Sequence, residues 1–126
     1  FVLSVSAQAP INTNELEPEK AYDNIHVKKL SSDSLVSTFA IWVKLKVKAH
    51  KHEFHTEHVQ VLKGKGNFSI ADSTFSVKKG DFIIIPKNTY HSVEVTSKKP
   101  MKVISIQAPP FIGEDRVFKE MEIKKF

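Results

Sequence analysis

Two histidines separated by one residue, and a glutamate that follows them, are the part of this sequence best suited to chemistry. His50 and His52 stand at positions i and i+2, and Glu57 comes five residues after the second histidine. Side chains alternate between the two faces of an extended strand, so both imidazoles leave the backbone on the same face. Two imidazoles and a carboxylate from the next strand are ligands that divalent transition metals prefer. The sequence therefore predicts most of a divalent-metal site.

A fourth candidate ligand, His91, lies in a second apolar stretch. Glu57 and His91 each alternate with valines, so both are expected to point into an apolar interior. A buried carboxylate or imidazole is costly unless it is paired or bound to a cation, and one ion would satisfy all four groups. The alternative is that His50 and His52 lie on an exposed strand edge while Glu57 only hydrogen-bonds His91.

The composition limits the class of protein. A chain of 126 residues corresponds to one domain, and the lack of cysteine excludes disulfides, thiolate zinc sites and cysteine nucleophiles. The net charge of +5 comes from 19 scattered basic residues, of which only Arg116 is an arginine. This pattern favours a solvated surface over nucleic-acid binding, which more often uses concentrated arginines. The sequence contains nothing close to the ~20 consecutive apolar residues of a membrane span.

Alternating apolar residues predict an all-β chain of short strands, with little or no helix. Turn signals recur at roughly 8–12-residue spacing, as in a β-sandwich or small barrel. The predicted strands cover residues 25–30, 39–47, 59–62, 67–70, 74–77, 82–85, 91–95, 101–106 and 117–123.

The first 22 residues differ from the rest of the chain. Residues 1–9 are interpreted as the remnant of a secretory signal peptide or as an N-terminal arm that pairs with a sheet edge. The first interpretation favours a periplasmic or secreted protein, and the second a cytoplasmic one. Residues 10–22 form a polar lead-in, and residues 23–126 form a single β domain.

Both histidine-bearing stretches resemble sequence motifs of the cupin family, and the resemblance covers roughly residues 25–110. The first motif consists of two histidines, a glutamate and a glycine at the family spacing: His50, His52, Glu57 and Gly64. The second consists of a glycine, a proline and a histidine: Gly80, Pro86 and His91. Three positions depart from the family pattern, none of them a ligand position: Lys44, Asn88 and Val95.

The resemblance implies a fold, a cofactor and an assembly. The fold would be a jelly-roll β-barrel of two antiparallel sheets, and the protein would form a homodimer. One divalent transition metal ion, Mn, Fe, Co, Ni or Zn, would be held by three histidines and one glutamate: His50, His52, Glu57 and His91. Such a ligand set leaves open positions on an octahedral ion, where water, dioxygen or a chelating substrate binds.

Strand parity and loop position predict the surroundings of the ion. The pocket is expected to be lined by six residues: Phe54, His55, Val59, Val61, Tyr90 and Val93. Parity also places Ile104 and Ile106 in its wall and turns His58 outward.

The predicted ligand is a small, weakly charged molecule. The inward faces offer no cationic cluster unless Lys44 or Arg116 folds over the pocket. Two functions stay open. One is a metal-dependent oxidoreductase or isomerase of the cupin type, in which Tyr90 or His55 would assist as acid or base. The other is a non-catalytic module that binds a small ligand.

Overall fold

The computed structural model describes residues 6–111 and 115–119. Within these residues a short 3-10 helix, Thr13–Glu15, precedes ten strands. The strands are β1 (Ile25–Ser32), β2 (Ser37–Val43), β3 (Lys46–His52), β4 (Thr56–Lys63), β5 (Lys65–Ile70), β6 (Ser73–Lys78), β7 (Phe82–Ile85), β8 (His91–Val95), β9 (Met101–Ala108) and β10 (Arg116–Phe118).

The strands form two antiparallel sheets that face each other. The first sheet has the order β1-β2-β9-β4-β7, and the second has the order β10-β3-β8-β5-β6. Between them lies an apolar core made of nine buried side chains: Val59, Val61, Phe68, Val77, Ile83, Ile85, Val93, Met101 and Val103. The prediction of an all-β jelly roll of two antiparallel sheets is confirmed, although the sheets do not close into a continuous barrel.

The predicted single strand over residues 39–47 is wrong, because the chain changes sheets within it. β2 ends at Val43 in the first sheet, and β3 begins at Lys46 in the second. Asn24 holds the reversal: its side-chain oxygen accepts from the backbone nitrogens of Leu45 at 2.9 Å and Lys46 at 3.2 Å. The side chain of Leu45, counted as an inward residue of the run, is 64% exposed. This crossing places the two histidines of β3 in the second sheet.

A β-bulge in β3 sets the direction of those histidines. Val47 stands opposite Val93, and His50 stands opposite His91, so three steps along β3 match two steps along β8. The extra residue shifts the alternation, and both Val47 and His50 face the interior. His52 follows two residues later on the same face.

Gly64 allows the tight turn between β4 and β5. Its φ is +84°, and a Cβ added there would lie 2.8 Å from the Cα of Met101. A side chain at this position would therefore meet both backbone strain and a backbone clash. β5 begins at the next residue, Lys65, two residues before the predicted strand 67–70.

The polar lead-in packs on the outer face of the first sheet. Lys102 of β9 is 1% exposed, and its ammonium donates to the backbone carbonyl of Asn14 at 3.3 Å. The rings of His26 and Trp42 lie 5.7 Å apart on this face. No helix among the described residues is long and apolar enough to cross a membrane.

Two predictions concern residues that are not described. The signal remnant or N-terminal arm falls mainly on residues 1–5, which lie outside the described ranges. The predicted last strand begins within β10, and its part beyond residue 119 also lies outside them.

Candidate metal centre

The four predicted ligand side chains come together between the sheets. His50 and His52 come from β3, His91 from β8 and Glu57 from β4, and all four are buried. The three histidines offer ring nitrogens that lie within 4.8 Å of one another. Oε2 of Glu57 lies 3.3 Å from Nε2 of His52 and 3.4 Å from Nε2 of His91. The fold thus gathers the imidazoles and the carboxylate that the sequence singled out.

Backbone carbonyls fix two of the imidazole rings. Nδ1 of His50 donates to the carbonyl of Lys48 at 2.7 Å, and Nδ1 of His91 donates to the carbonyl of Thr89 at 3.0 Å. A carbonyl only accepts, so Nδ1 carries the hydrogen and Nε2 keeps its lone pair in the neutral ring. This is the tautomer in which histidine binds a metal through Nε2.

Glu57 is fixed through one of its two oxygens. Its Oε1 accepts a hydrogen bond from the Ser105 hydroxyl at 2.8 Å, and that hydroxyl accepts from the Gln107 amide at 3.0 Å. The other oxygen, Oε2, is buried and makes no hydrogen bond of good geometry to the described residues, although Nε2 of His52 and Nε2 of His91 lie 3.3 and 3.4 Å away. Burial would raise the pKa of this carboxyl, but His52, His91 and Ser105 more than offset that effect and hold its pKa well below the usual range.

These contacts leave a gap that fits a cation. The ionised Oε2 of Glu57 faces Nε2 of His91, and in the neutral ring both atoms carry lone pairs. Two acceptors that face each other in a buried site need either a proton or a metal cation between them. Nitrogen and carboxylate donors in this number suit Mn, Fe, Co, Ni or Zn. The residues therefore fit a divalent ion, and their assignment as ligands stays a prediction.

The supporting residues on β9 correct the predicted strand parity. Ile104 and Ile106 were expected in the pocket wall, but Ile106 is 37% exposed on the outer face. Ser105 stands opposite Val59 in the ladder, and it points inward to the carboxylate of Glu57. The alternation of apolar residues gave the wrong inward face for β9, because two of its inward side chains, Ser105 and Gln107, are polar and support Glu57.

Asp115 joins two histidines beside the centre. Its Oδ1 lies 3.1 Å from Nδ1 of His52, and its Oδ2 lies 2.8 Å from Nδ1 of His55. Its side chain is only 6% exposed. The sequence reading did not identify Asp115, which lies 63 residues after His52 and approaches it only in the folded chain. Since a carboxylate behind a ligating imidazole fixes the ring and raises its basicity, Asp115 is a positioning residue for His52.

The surroundings of the buried histidines change their pKa values in different directions. Burial, together with the neighbouring His91, lowers the pKa of His50 to about 4, so this ring is neutral near pH 7. Burial and the neighbouring His52 also lower the pKa of His55. Burial would lower the pKa of His52 as well, but Glu57 and Asp115 outweigh it and raise that pKa. His52 is thus the ring that most readily holds a proton when no ion is present.

A cavity of about 370 Å³ opens between the sheets beside these side chains. Val59 and Val93 line it as predicted from parity, whereas Val61 is 1% exposed in the core beneath. His55 is 2% exposed and stacks behind His52, so it supports the site and does not face the cavity.

Two loop residues predicted for the pocket lie outside it. Phe54 is 68% exposed, because it belongs to the bend between β3 and β4 and points to solvent. Tyr90 is half-buried next to β8, and the Lys51 ammonium lies 5.0 Å from its ring centroid. His58, expected to point outward, packs on the outer face against the Phe82 ring at 5.5 Å.

The cavity wall is more cationic than the sequence suggested. Lys46, Lys48 and Arg116 all line it, together with Glu57 as the one carboxylate among the described residues of the wall. All three side chains are exposed at the rim of the cavity, and Arg116 is one of the two residues that the expectation of no inward cationic cluster had excepted. β10 and the bulged start of β3 bring these side chains to the cavity, and neither was visible from alternation alone.

Comparisons with known proteins agree with this architecture. The family described as "Cupin domain" matches residues 39–107. An uncharacterized protein of Methanocaldococcus jannaschii is 33% identical over 99 residues, which are 77% of this chain and 75% of that protein. An acireductone dioxygenase of Heterostelium pallidum is 29% identical over 106 residues, covering 78% of this chain and 70% of the dioxygenase.

A solved structure supports the fold alone. A Klebsiella pneumoniae protein with a double-stranded β-helix domain superposes with a TM-score of 0.73 at 13% sequence identity. The match covers 89% of this chain and 97% of that protein.

Proposed function

The chain belongs to the cupin family, and on this premise we propose that it binds one divalent transition metal ion and uses the ion to hold or convert a small molecule. The ligands would be one carboxylate and three imidazoles: Glu57, His50, His52 and His91. The observation that carries the proposal is Oε2 of Glu57, a buried and ionised oxygen that lies 3.3 Å from Nε2 of His52 and 3.4 Å from Nε2 of His91. An oxygen in that state beside lone-pair nitrogens is a ligand for a cation.

The chain supplies the binding and orientation. When bound, such an ion provides Lewis acidity or activates dioxygen, and it accepts a chelating molecule at its open positions. Val59, Val93 and Val103 line the cavity and restrict the access of water to the ligands. Ser105 and Asp115 hold Glu57 and His52 in place, because each contacts the atom that does not face the centre.

Conversion and simple binding are two forms of this function. The 29% identical relative named as an acireductone dioxygenase supports an enzyme. The mainly apolar cavity wall supports a binding module, because few side chains beyond the ligands could transfer protons.

Elemental analysis of untagged protein, purified without chelators and without a nickel column, tests the proposal. We expect close to one equivalent of Mn, Fe, Co, Ni or Zn per chain. Absence of metal, together with no thermal shift when each ion is added back, would overturn it. Oxygen uptake with small chelating diols then separates an enzyme that activates dioxygen from a protein that only binds.

A further inference from the structure

Three exposed cations stand at the rim of the cavity, on the sheet that holds the histidines. Lys46 and Lys48 come from β3, and Arg116 comes from β10. β10 pairs with β3 so that Arg116 stands opposite His52. The positive charges therefore flank the predicted metal ligands along two neighbouring strands.

These cations lack carboxylate partners. Among the described residues, none of the three lies within ion-pair distance of an aspartate or a glutamate. The Arg116 guanidinium lies 5.3 Å from the centroid of the Phe111 ring, which carries no formal charge. Glu57 is committed to the histidines and to Ser105. Unpaired cations on the wall of a cavity with largely apolar sides favour an anionic occupant.

The surface between the ligands and the cations is apolar. Ile25 and Val27 of the edge strand β1 line the cavity, yet each stays 42% exposed. Phe118 of β10 adds a ring whose centroid lies 5.9 Å from that of His50. A molecule with an apolar body would cover these side chains and gain from removing them from water.

We propose that the molecule bound at this centre is a small organic carboxylate, an inference that rests on the proposed metal site. Its chelating end reaches the ion, and its apolar body packs between β1 and Phe118. Its carboxylate pairs with Arg116 and Lys48. Arg116 is the only arginine of the chain, and the planar fork of a guanidinium matches a carboxylate in two parallel hydrogen bonds.

Two probes with the same chelating head test the carboxylate. Succinic monohydroxamic acid carries a terminal carboxylate, and its amide analogue differs only in that charge; acetohydroxamic acid is the head alone. Titration calorimetry on cobalt-loaded protein should give a Kd for the carboxylate about tenfold lower than for the amide. Equal Kd values for the two probes would overturn the proposal.

Matched variants test which side chains cause the preference for the carboxylate probe. R116Q and K48Q should each reduce the preference for the carboxylate by about threefold, and the double variant should bring it close to one. The Kd for acetohydroxamic acid should not change in any of them, because the head contacts only the ion. K98Q removes the same charge from the turn before β9, outside the cavity, and should keep the full preference. If K98Q lowered the preference for the carboxylate as much as R116Q does, the preference would come from the overall charge of the protein. That result would overturn the assignment of Arg116 and Lys48 as the carboxylate's partners.

A measurement without metal keeps this inference separate from the proposed function. Because the chain has one arginine, its side-chain Nε–Hε group gives a single resonance in a ¹⁵N-correlated NMR spectrum. 3-Methylbutanoate added to metal-free protein should shift that resonance in a saturable way, and 3-methylbutanamide should not. If the protein takes up no metal but this shift appears, only the metal function fails. If metal binds but 3-methylbutanoate does not shift the resonance, only the present proposal fails.

Discussion

The imidazole rings of His52 and His55 stack with their centroids 4.2 Å apart and their planes inclined by 30°. Asp115 contacts Nδ1 of both rings, so one carboxylate holds the pair in register. Of these two rings, His52 is the one whose Nε2 lies 3.3 Å from Oε2 of Glu57. The candidate metal centre is thus connected to the segment that leads into β10, which also brings Arg116 to the rim of the cavity.

Replacement of Asp115 by asparagine should weaken metal binding by about 10- to 100-fold, because it removes the charge that supports His52. Competition with a fluorescent chelator measures the affinity. Asp72→Asn, in the exposed turn between β5 and β6, is the matched control and should leave the affinity unchanged. Wild-type affinity in Asp115→Asn would show that the carboxylate does not position the ring.

Glu57→Gln and His91→Ala should each lose the bound ion, and with it the stabilisation that the ion provides. Saturation at 100 times the Kd contributes about 2.7 kcal/mol, so the melting temperature measured with metal should fall. His58→Ala should retain both the ion and the melting temperature, since His58 packs on the outer face against Phe82. Equal loss of metal in His58→Ala and His91→Ala would contradict the strand register.

Ser105→Ala should destabilise the metal-free protein by about 1–3 kcal/mol, because it leaves Oε1 of the buried Glu57 without its donor. Urea unfolding followed by circular dichroism measures the change in the free energy of unfolding. Ser76→Ala lies on the exposed face of β6 and should stay within about 0.5 kcal/mol of the wild type. Equal effects of the two substitutions would contradict the supporting role of Ser105.

The contribution of His50 to the free energy of unfolding of the metal-free protein should decrease as the pH falls from 6.5 to about 4. The pKa of this ring is lowered from 6.5 to about 4 in the folded chain, so the unfolded chain binds the proton first and is favoured within that window. The contribution is roughly 3 kcal/mol at most. The raised pKa of His52 acts in the opposite direction, since it stabilises the folded state as the pH falls.

Comparison with His50→Gln isolates the effect of His50. The difference in the free energy of unfolding between wild type and variant should change across this window and stay constant above it. A difference that does not change with pH would show that His50 keeps an ordinary pKa.

The parts of the fold that repeat locally could be predicted from the sequence. The predicted strands 82–85 and 91–95 match β7 and β8 end to end, because turn residues bound each of these short runs. The convergence of the four ligand side chains also followed from parity within β3, β4 and β8 together with the family resemblance.

The missed features depend on contacts between distant parts of the chain. The break after Val43 needs Asn24, which lies more than twenty residues from the backbone groups it binds. The inward position of Ser105 follows from its role beside Glu57, against the apolar alternation of its strand. Asp115 reaches His52 only through the pairing of β10 with β3. Periodicity within one segment contains none of this information.

The bulge in β3 changes which residue numbers point inward without changing the face that those residues share. Before the bulge the odd-numbered Val47 faces the core, and after it the even-numbered His50 and His52 do. Loss of one residue between Val47 and His50 would restore strict alternation. Val47 and the two imidazoles would still share the inward face, because two steps along β3 would then match the two steps from Val93 to His91 along β8. The extra residue therefore bends and twists the strand beside Lys48, and a single-residue deletion there should straighten β3 without turning any predicted ligand outward.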